Sequence, residues 1–465
     1  LPRTERKIWM LDQTINRRGI YCDVELAQSA ITITEDLEDK ACAELRELTD
    51  GEISTPGQID KMIDWLVGEN LAIPNTQAPI VEEFLQRDDL TPKARRILEI
   101  RQLHSKASTK KYQAMLESAD DDQRMRGLLL YHGAHTSRWT GKRVQPTNFI
   151  HPKFSRSEVE HLIIPAIKNH DIKQLEILFG DPVTPLSSAL RATMCAAPGK
   201  DLIGADYAGI ENRVLLWRVG DTIALAKIRA GVDLYIDMAC AIFGCKYDEL
   251  KALVGKGDVD AIFKRNVGKR AVLGAGYQMG APRFRAQCAE YGIEIDEELA
   301  EKTIWAFRRK YNKVVQYWYR LNDLAIERTG PFSMKGKFLQ FKMKSGAVLN
   351  YYDPQITMNR FGGPALSYMG VDAVSRKWIR MDTYGGKLTE NEIQKLSRDV
   401  MVGGMLRAEA AGYPIIFNVY DELIAEVDKD FGSVDEFVGL LCQQPPWAKG
   451  CPISAEGWRG ERYRK

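Results

Sequence analysis

Asp201-Leu-Ile-Gly-Ala-Asp206-Tyr-Ala-Gly-Ile-Glu211-Asn-Arg213 changes its hydrophobic period midway. Leu202 to Ala205 is a short apolar run that ends on a carboxylate, Asp206; from Ile210 onward, Ile210, Val214, Leu215 and Arg218 follow helical spacing. A strand therefore hands an acidic residue to a loop and then to a helix. The sheet fixes the position of such a carboxylate while the loop leaves it open to a ligand, which suits a metal-binding residue. Taken alone, Asp206 reads equally well as the N-cap of the following helix, so its meaning depends on the rest of the chain.

The chain has 465 residues, 45% hydrophobic and 28% charged, which predicts a soluble globular protein of two to four subdomains. A net charge of +2 means that any polyanionic partner must be met by local basic surface rather than by a global field. Such a surface is offered by Lys93, Arg95, Arg96, Arg101, Lys106, Lys110 and Lys111, among which Glu99 is the single acid. The eight cysteines are scattered without a C-x-x-C pair, the pattern of reduced thiols in a cytoplasmic compartment. No signal peptide or long apolar span is visible, so neither export nor membrane insertion is expected. The start at Leu1 suggests a fragment or processed form.

Residues 1 to about 130 read as helical: Ile8, Leu11 and Ile15, then Leu26, Ala30, Ile33 and Leu37, with Gly19 and Asp23 marking the break. Between Ala94 and Leu116 the basic cluster interleaves with apolar positions, which fits either a nucleic-acid backbone or a solvated charged face. His132 and His135 stand three apart, but no cysteine or carboxylate has matching spacing, so they read as polar loop residues. All six histidines fall between 104 and 170, which removes histidine as a general base near either acidic stretch.

A second informative stretch is Arg265-Asn-Val-Gly-Lys269-Arg-Ala-Val-Leu273-Gly-Ala-Gly-Tyr277. Arg265, Lys269, Leu273 and Tyr277 are each four apart and form one helical stripe of two cations, an apolar side chain and an aromatic. A nucleoside triphosphate needs that order, phosphates on the cations and base near the flat residues; a helix with a basic end and a core aromatic is the plainer alternative. Glycines at 268, 274 and 276 each cost about 1 kcal/mol against Ala in a helix, so they imply close approach of another element or a bend. A third stretch, Gly412 to Val427, places Tyr420-Asp421-Glu422 between two apolar runs, Ile415 to Val419 and Leu423 to Val427, and reads as a tight acidic hairpin. Two strand-borne carboxylates from distant sequence, with a cation-lined helix between them, fit a two-metal phosphoryl-transfer site.

In this order the three stretches resemble motifs A, B and C of the family A DNA polymerases, the DNA polymerase I family, and especially its bacteriophage-type members. Asp206-Tyr-Ala-Gly-Ile-Glu-Asn-Arg213 keeps the Asp, Tyr, Ile, Glu and Arg of motif A; Arg265, Lys269, Gly274 and Tyr277 match R-x3-K-x3-F/Y-G-x2-Y; and Tyr420-Asp-Glu422 stands for the usual H-D-E. The likeness also takes in Arg138, Arg191 and Gln394 and runs over essentially the whole chain. It implies an α+β right-hand polymerase with an antiparallel-sheet palm and helical fingers and thumb: thumb 1–130, palm 131–225 and 346–465, fingers 226–345.

The resemblance further implies two Mg2+ ions held by Asp206, Asp421 and the Tyr207 carbonyl, with Glu422 in support. Arg191, Arg265 and Lys269 would clamp the triphosphate, and Lys269 would protonate the leaving group. Tyr277 would stack near the templating base, and Glu211 would exclude a ribose 2′-hydroxyl. Arg138 and Gln394 would read the minor groove, Tyr420 would meet the primer end, and Lys106, Lys110 and Lys111 would contact the DNA backbone. Three residues depart from the family pattern: Leu273 replaces the aromatic beside the incoming sugar, Tyr420 replaces a histidine, and Tyr235 stands where many members have a histidine near the triphosphate. Primer-template DNA and dNTPs are the implied partners of a monomeric enzyme, with a place for accessory replication proteins, and no proofreading exonuclease motif is seen. A single-subunit RNA polymerase, which Glu211 argues against, and a non-catalytic DNA-binding relative are the alternatives.

Overall fold

A computed structural model gives the fold; residues 1–2, 107–108, 359–361, 373–374 and 465, and the side chains of 3, 105, 106 and 109, lie outside the described residues. Helices and antiparallel sheets alternate along the chain, an α+β architecture. Its centre is a four-stranded antiparallel sheet in the order Ile415–Val419, Glu422–Asp428, Lys200–Tyr207, Ala455–Gly460. The two middle strands are almost continuously buried, which explains why their sequences read as unbroken apolar runs rather than as alternation. The long Gly385–Ala410 helix packs beside this sheet and is itself largely buried.

The buried residues fall into separate clusters along the chain. Ile8, Ile15, Leu26 and Ile33 join the main core around the central sheet, whereas Leu45, Met62, Leu66, Ile97 and Leu98 form a second, separate core. The Val24–Leu48 helix connects the two, so the unit with its own core starts partway along that helix rather than at residue 1. The strand Ile20–Cys22 pairs with Met194–Cys195, tying the N-terminal segment to the residues that lead into the central sheet. The expected division at 345/346 falls inside a five-stranded antiparallel meander: Phe332–Lys335, Phe338–Lys342, Val348–Met358, Pro364–Val371 and Trp378–Thr383 bond in sequence order. Cutting between the second and third of these strands would leave their ladder unpaired, so the sheet stays with one unit.

Among the described residues no helix is long and apolar enough to cross a membrane. The eight cysteines are all free. His132 stacks on Tyr131, and the His135 ring lies against Tyr351 and Tyr368; both are loop residues engaged with aromatic neighbours.

Candidate active site

Asp206 is the penultimate residue of the Lys200–Tyr207 strand and pairs in register with Glu422. The next residue, Tyr207, donates its backbone N–H to the Asp421 carbonyl at 3.2 Å. Asp421 and Tyr420 form the two-residue turn between Ile415–Val419 and Glu422–Asp428, with Tyr420 at φ 50, as a tight antiparallel turn requires. The ladder thereby brings Asp206 and Asp421 to the same end of the sheet. Asp206 is not a helix cap: that place belongs to Gly209, at φ 54, ahead of the Ile210–Val219 helix.

Glu422 is fully buried and accepts two hydrogen bonds, from Trp458 Nε1 at 2.9 Å and from the Tyr463 hydroxyl at 2.8 Å. Burial and the Glu422 charge push the Tyr463 hydroxyl well above the usual tyrosine range, so it remains a donor. The Trp458 indole lies directly over Gly204; a Cβ there would come within 2.5 Å of the ring, so only glycine admits this route to Glu422.

The second stretch forms the Val259–Gly274 helix followed by a 3₁₀ turn, Ala275–Tyr277, so the tightening takes Tyr277 off the four-residue stripe. Arg265 pairs with Asp233 at 2.9 Å, and its guanidinium lies 5.4 Å from the centre of the Tyr235 ring. Lys269 Nζ lies 5.9 Å from the same ring. Burial, with Arg270 and Arg265 nearby and Asp233 in partial opposition, lowers the Lys269 ammonium below the ordinary lysine range. Gly268 permits this arrangement, because a Cβ there would lie 2.2 Å from the Tyr235 carbonyl on the neighbouring helix. The close approach expected of the glycines is thus realised.

Tyr277 donates to Glu211 Oε2 at 2.9 Å, and Arg138 pairs with Glu211 Oε1. Burial and Glu211 raise the Tyr277 hydroxyl far above its ordinary value, keeping it protonated. A cavity of about 230 Å³ is walled by Glu211, Asn212, Leu273, Gly276, Tyr277 and Asp421. Three stretches far apart in sequence therefore line one space. The loop of Arg138 also joins the Gly385–Ala410 helix, where Thr136 donates to Gln394 Oε1 at 3.3 Å. Tyr420 is exposed at the hairpin tip.

Several of the expected contact residues are engaged within the fold. Arg191 is buried and donates to the Ile150 and Phe149 carbonyls at 2.9 and 2.6 Å, with its guanidinium over the Tyr463 ring; its hydrogen bonds go to the scaffold, not to a clamp beside Arg265 and Lys269. In the basic cluster, Arg96 pairs with Glu44 and Glu99, Arg95 donates to the Leu85 and Arg87 carbonyls, and Lys111 donates to the Val144 carbonyl. Of the three lysines assigned to DNA, Lys111 is thus an internal tie, Lys110 is exposed, and the Lys106 side chain lies outside the described residues. Residues that the sequence did not single out include Trp458, Tyr463 and Asp233. Asp233 stands two residues before Tyr235 and caps the Leu234–Phe243 helix, a signal that was present in Asp-Leu-Tyr.

The donor set at the sheet end is oxygen only, two aspartates and main-chain carbonyls, the chemistry that hard divalent cations select. No group of three or more His, Cys, Asp or Glu side chains surrounds a common point among the described residues. Both carboxyl oxygens of Glu422 already accept internal hydrogen bonds, and two aspartates fit an ion that completes its shell with water and substrate oxygens.

A central antiparallel sheet that brings Asp206 and Asp421 to one end, beside a cavity walled by Glu211, Leu273, Tyr277 and Asp421 in an α+β fold, is the architecture of a right-hand nucleotide polymerase. The chain is 30% identical to the DNA polymerase of Bacillus phage SP02 over 480 residues, spanning 99% of this chain and 71% of that protein. It is 27% identical to the thermostable DNA polymerase I of Thermus filiformis over 249 residues, covering 53% of this chain and 25% of that protein. DNA polymerase I of Chloroflexus aurantiacus matches at 25% over 243 residues, covering 52% of this chain and 21% of that protein. In fold it resembles the polymerase domain of Pol1 from M. smegmatis, solved with DNA primer-template and dNTP, with a TM-score of 0.64 at 16% identity over 97% of this chain and 68% of that one. No family model matches the chain. The chain belongs to the family A DNA polymerases and is a DNA-directed DNA polymerase.

Proposed function

We propose that this polymerase adds deoxynucleotides to a primer 3′ end at the cavity between Asp421, Glu211, Leu273 and Tyr277, using two Mg2+ ions. The observation that carries the reading is the meeting of Asp206 and Asp421 at one sheet end, opposite the Val259–Gly274 helix. Asp206, Asp421 and the Tyr207 carbonyl would hold the ions, which when bound supply activation of the attacking hydroxyl and neutralisation of the leaving pyrophosphate.

The chain's own side chains account for the remaining tasks. Arg265 and Lys269, held over Tyr235, bind the triphosphate. Lys269 Nζ holds a proton that its lowered pKa makes easier to release to the pyrophosphate oxygen. Glu211, fixed by Tyr277 and Arg138, fills the space that a ribose 2′-hydroxyl needs. Leu273 lies against the sugar and Tyr277 against the templating base. Arg138 and Gln394 face the minor groove, where acceptors recur on every correct pair. Residues of the second core form the thumb, the central sheet is the palm, and the helices from 234 to 327 are the fingers, together grasping primer-template DNA.

Primer extension with Mg2+ tests the reading. Asp206→Ala and Asp421→Ala should each abolish extension while keeping DNA affinity within about tenfold, because phosphate contacts elsewhere carry most of the affinity. Near-normal extension by either variant overturns the assignment.

A further inference from the structure

The five-stranded meander of residues 332–383 has two unlike faces. Leu339, Phe341, Leu349, Tyr351, Leu366 and Tyr368 are buried on one of them. Tyr351 accepts from Asn391 on the Gly385–Ala410 helix at 3.0 Å, and His135 packs 5.0 Å from the same ring. The sheet is therefore rooted on the helix of Gln394 and on the loop of Arg138.

The opposite face carries a row of rings across the strands. Register places Phe338 opposite Tyr352, Tyr352 opposite Met369, and Val371 opposite Trp378. Ring centres are 5.1 Å apart for Phe338 and Tyr352 and 6.0 Å for Tyr352 and Trp378. Phe338 is 41% exposed and Trp378 57% exposed, so this is not a hydrophobic core. Lys335, Lys342 and Arg380 share this face by register, together with the amide pair Gln340 and Asn350. Between Phe332 and Thr383 the chain has eight lysines and arginines, three aspartates and no glutamate, a local surplus of +5 in a protein whose whole charge is +2. One of those aspartates, Asp353, is paired with Arg380, and Asp382 is exposed at the edge.

We propose that this face is a stacking platform for single-stranded DNA, the unpaired template being the strand available to a polymerase. Exposed aromatic rings on a sheet bind unpaired bases because every base offers a π-face, and basic side chains around them follow the phosphates. A duplex hides its base faces and has no use for the rings. The charge surplus selects a polyanion over a protein partner with an apolar patch, which would not need it. The proposal goes beyond the polymerase reaction, since none of these residues lines the catalytic cavity.

The test is fluorescence anisotropy of labelled dT30 and of a blunt 30-base-pair duplex, with the wild type and with Phe338→Ala/Tyr352→Ala/Trp378→Ala. The expected result is a loss of at least about tenfold in dT30 affinity with little change for the duplex. Extension of a primer-template with a one-nucleotide overhang should stay at the wild-type rate, which separates loss of the platform from loss of the catalytic reading. Unchanged dT30 affinity, or an equal loss on the duplex, overturns the proposal and returns the face to a protein partner. If the triple variant does not fold, photo-cross-linking of the wild type to iodouridine-substituted dT30 decides: adducts on peptides containing Tyr352 or Trp378 support the platform, and their absence overturns it.

Discussion

The Tyr277 hydroxyl donates to Glu211 Oε2 at 2.9 Å, joining the turn that follows the Val259–Gly274 helix to the first turn of the Ile210–Val219 helix. Two parts of the chain that meet only in the folded protein thereby set the position of one carboxylate. Glu211→Ala should raise ribonucleotide use relative to deoxynucleotide use by at least about tenfold, as expected when a contact that rejects a hydroxyl is removed. Tyr277→Phe keeps the ring but frees Glu211, and should relax sugar choice less. Competitive single-nucleotide incorporation checks both; equal selectivity in all three enzymes removes Glu211 from sugar choice.

Lys269 has a folded-state pKa below its ordinary 10.5, so its protonated form is disfavoured by folding. The resulting penalty is fully present at pH below the folded pKa and disappears as pH rises toward the unfolded value. Lys269→Met should therefore melt slightly higher than the wild type at pH 7. It should also lose about 10²–10⁴-fold in kcat if the ammonium is the general acid. Thermal melts and pre-steady-state extension over pH 6–10 test this, and an alkaline limb unchanged in the variant would assign the proton to another group.

Glu422 is buried with both oxygens bonded to aromatic donors near the end of the chain. Removing one donor leaves a buried carboxylate oxygen short of a partner, which costs about 1–3 kcal/mol. Trp458→Phe and Tyr463→Phe should each show such a loss in urea unfolding, together with a reduced extension rate. A full loss of stability with wild-type kcat would make Glu422 a scaffold residue alone.

Burial alone would raise the Glu5 carboxyl, but hydrogen bonds from His132 and Tyr131 and the charges of Arg398 and Lys395 outweigh it and hold the group well below the usual carboxylate range. A carboxylate depressed in the fold stabilises above its unfolded pKa, and the contribution is lost as pH falls through the acid range. Glu5→Gln should thus be destabilised at pH 7, by about 1–3 kcal/mol, and the gap should narrow at about pH 3 and close only as pH falls further, through the depressed folded-state value. Urea unfolding at the two pH values is the check, and a gap undiminished in acid would point to packing instead of charge.

The sequence by itself determined which residues are proposed to carry the chemistry. Asp206, Glu211, Arg265, Lys269, Tyr277 and Asp421 sit in short stretches whose period and composition are local properties, so the strand, the helix and the hairpin could each be read before any contact was known. Gly268 was legible as a point of close approach for the same reason, since a helix interior tolerates glycine poorly without a neighbour that needs the space. The division between the two buried clusters was less legible. The Val24–Leu48 helix serves two cores, and nothing in its amphipathic pattern says where one ends.

Only the tertiary structure decided how side chains of like type divide their work. Arg191 and Lys111 look in sequence like any other cation available to a phosphate, yet in the fold both donate to main-chain carbonyls. Trp458 and Tyr463 look like ordinary aromatics, yet they hold Glu422. Partners of this kind come from segments far apart in the chain, and hydrogen bonds depend on angles and distances of a few ångströms that no local pattern encodes. The stretch from Asp201 to Arg213 could announce a carboxylate at the end of a strand; pairing with Glu422 and the turn at Asp421 is what brings that carboxylate to the same end of the sheet as Asp421.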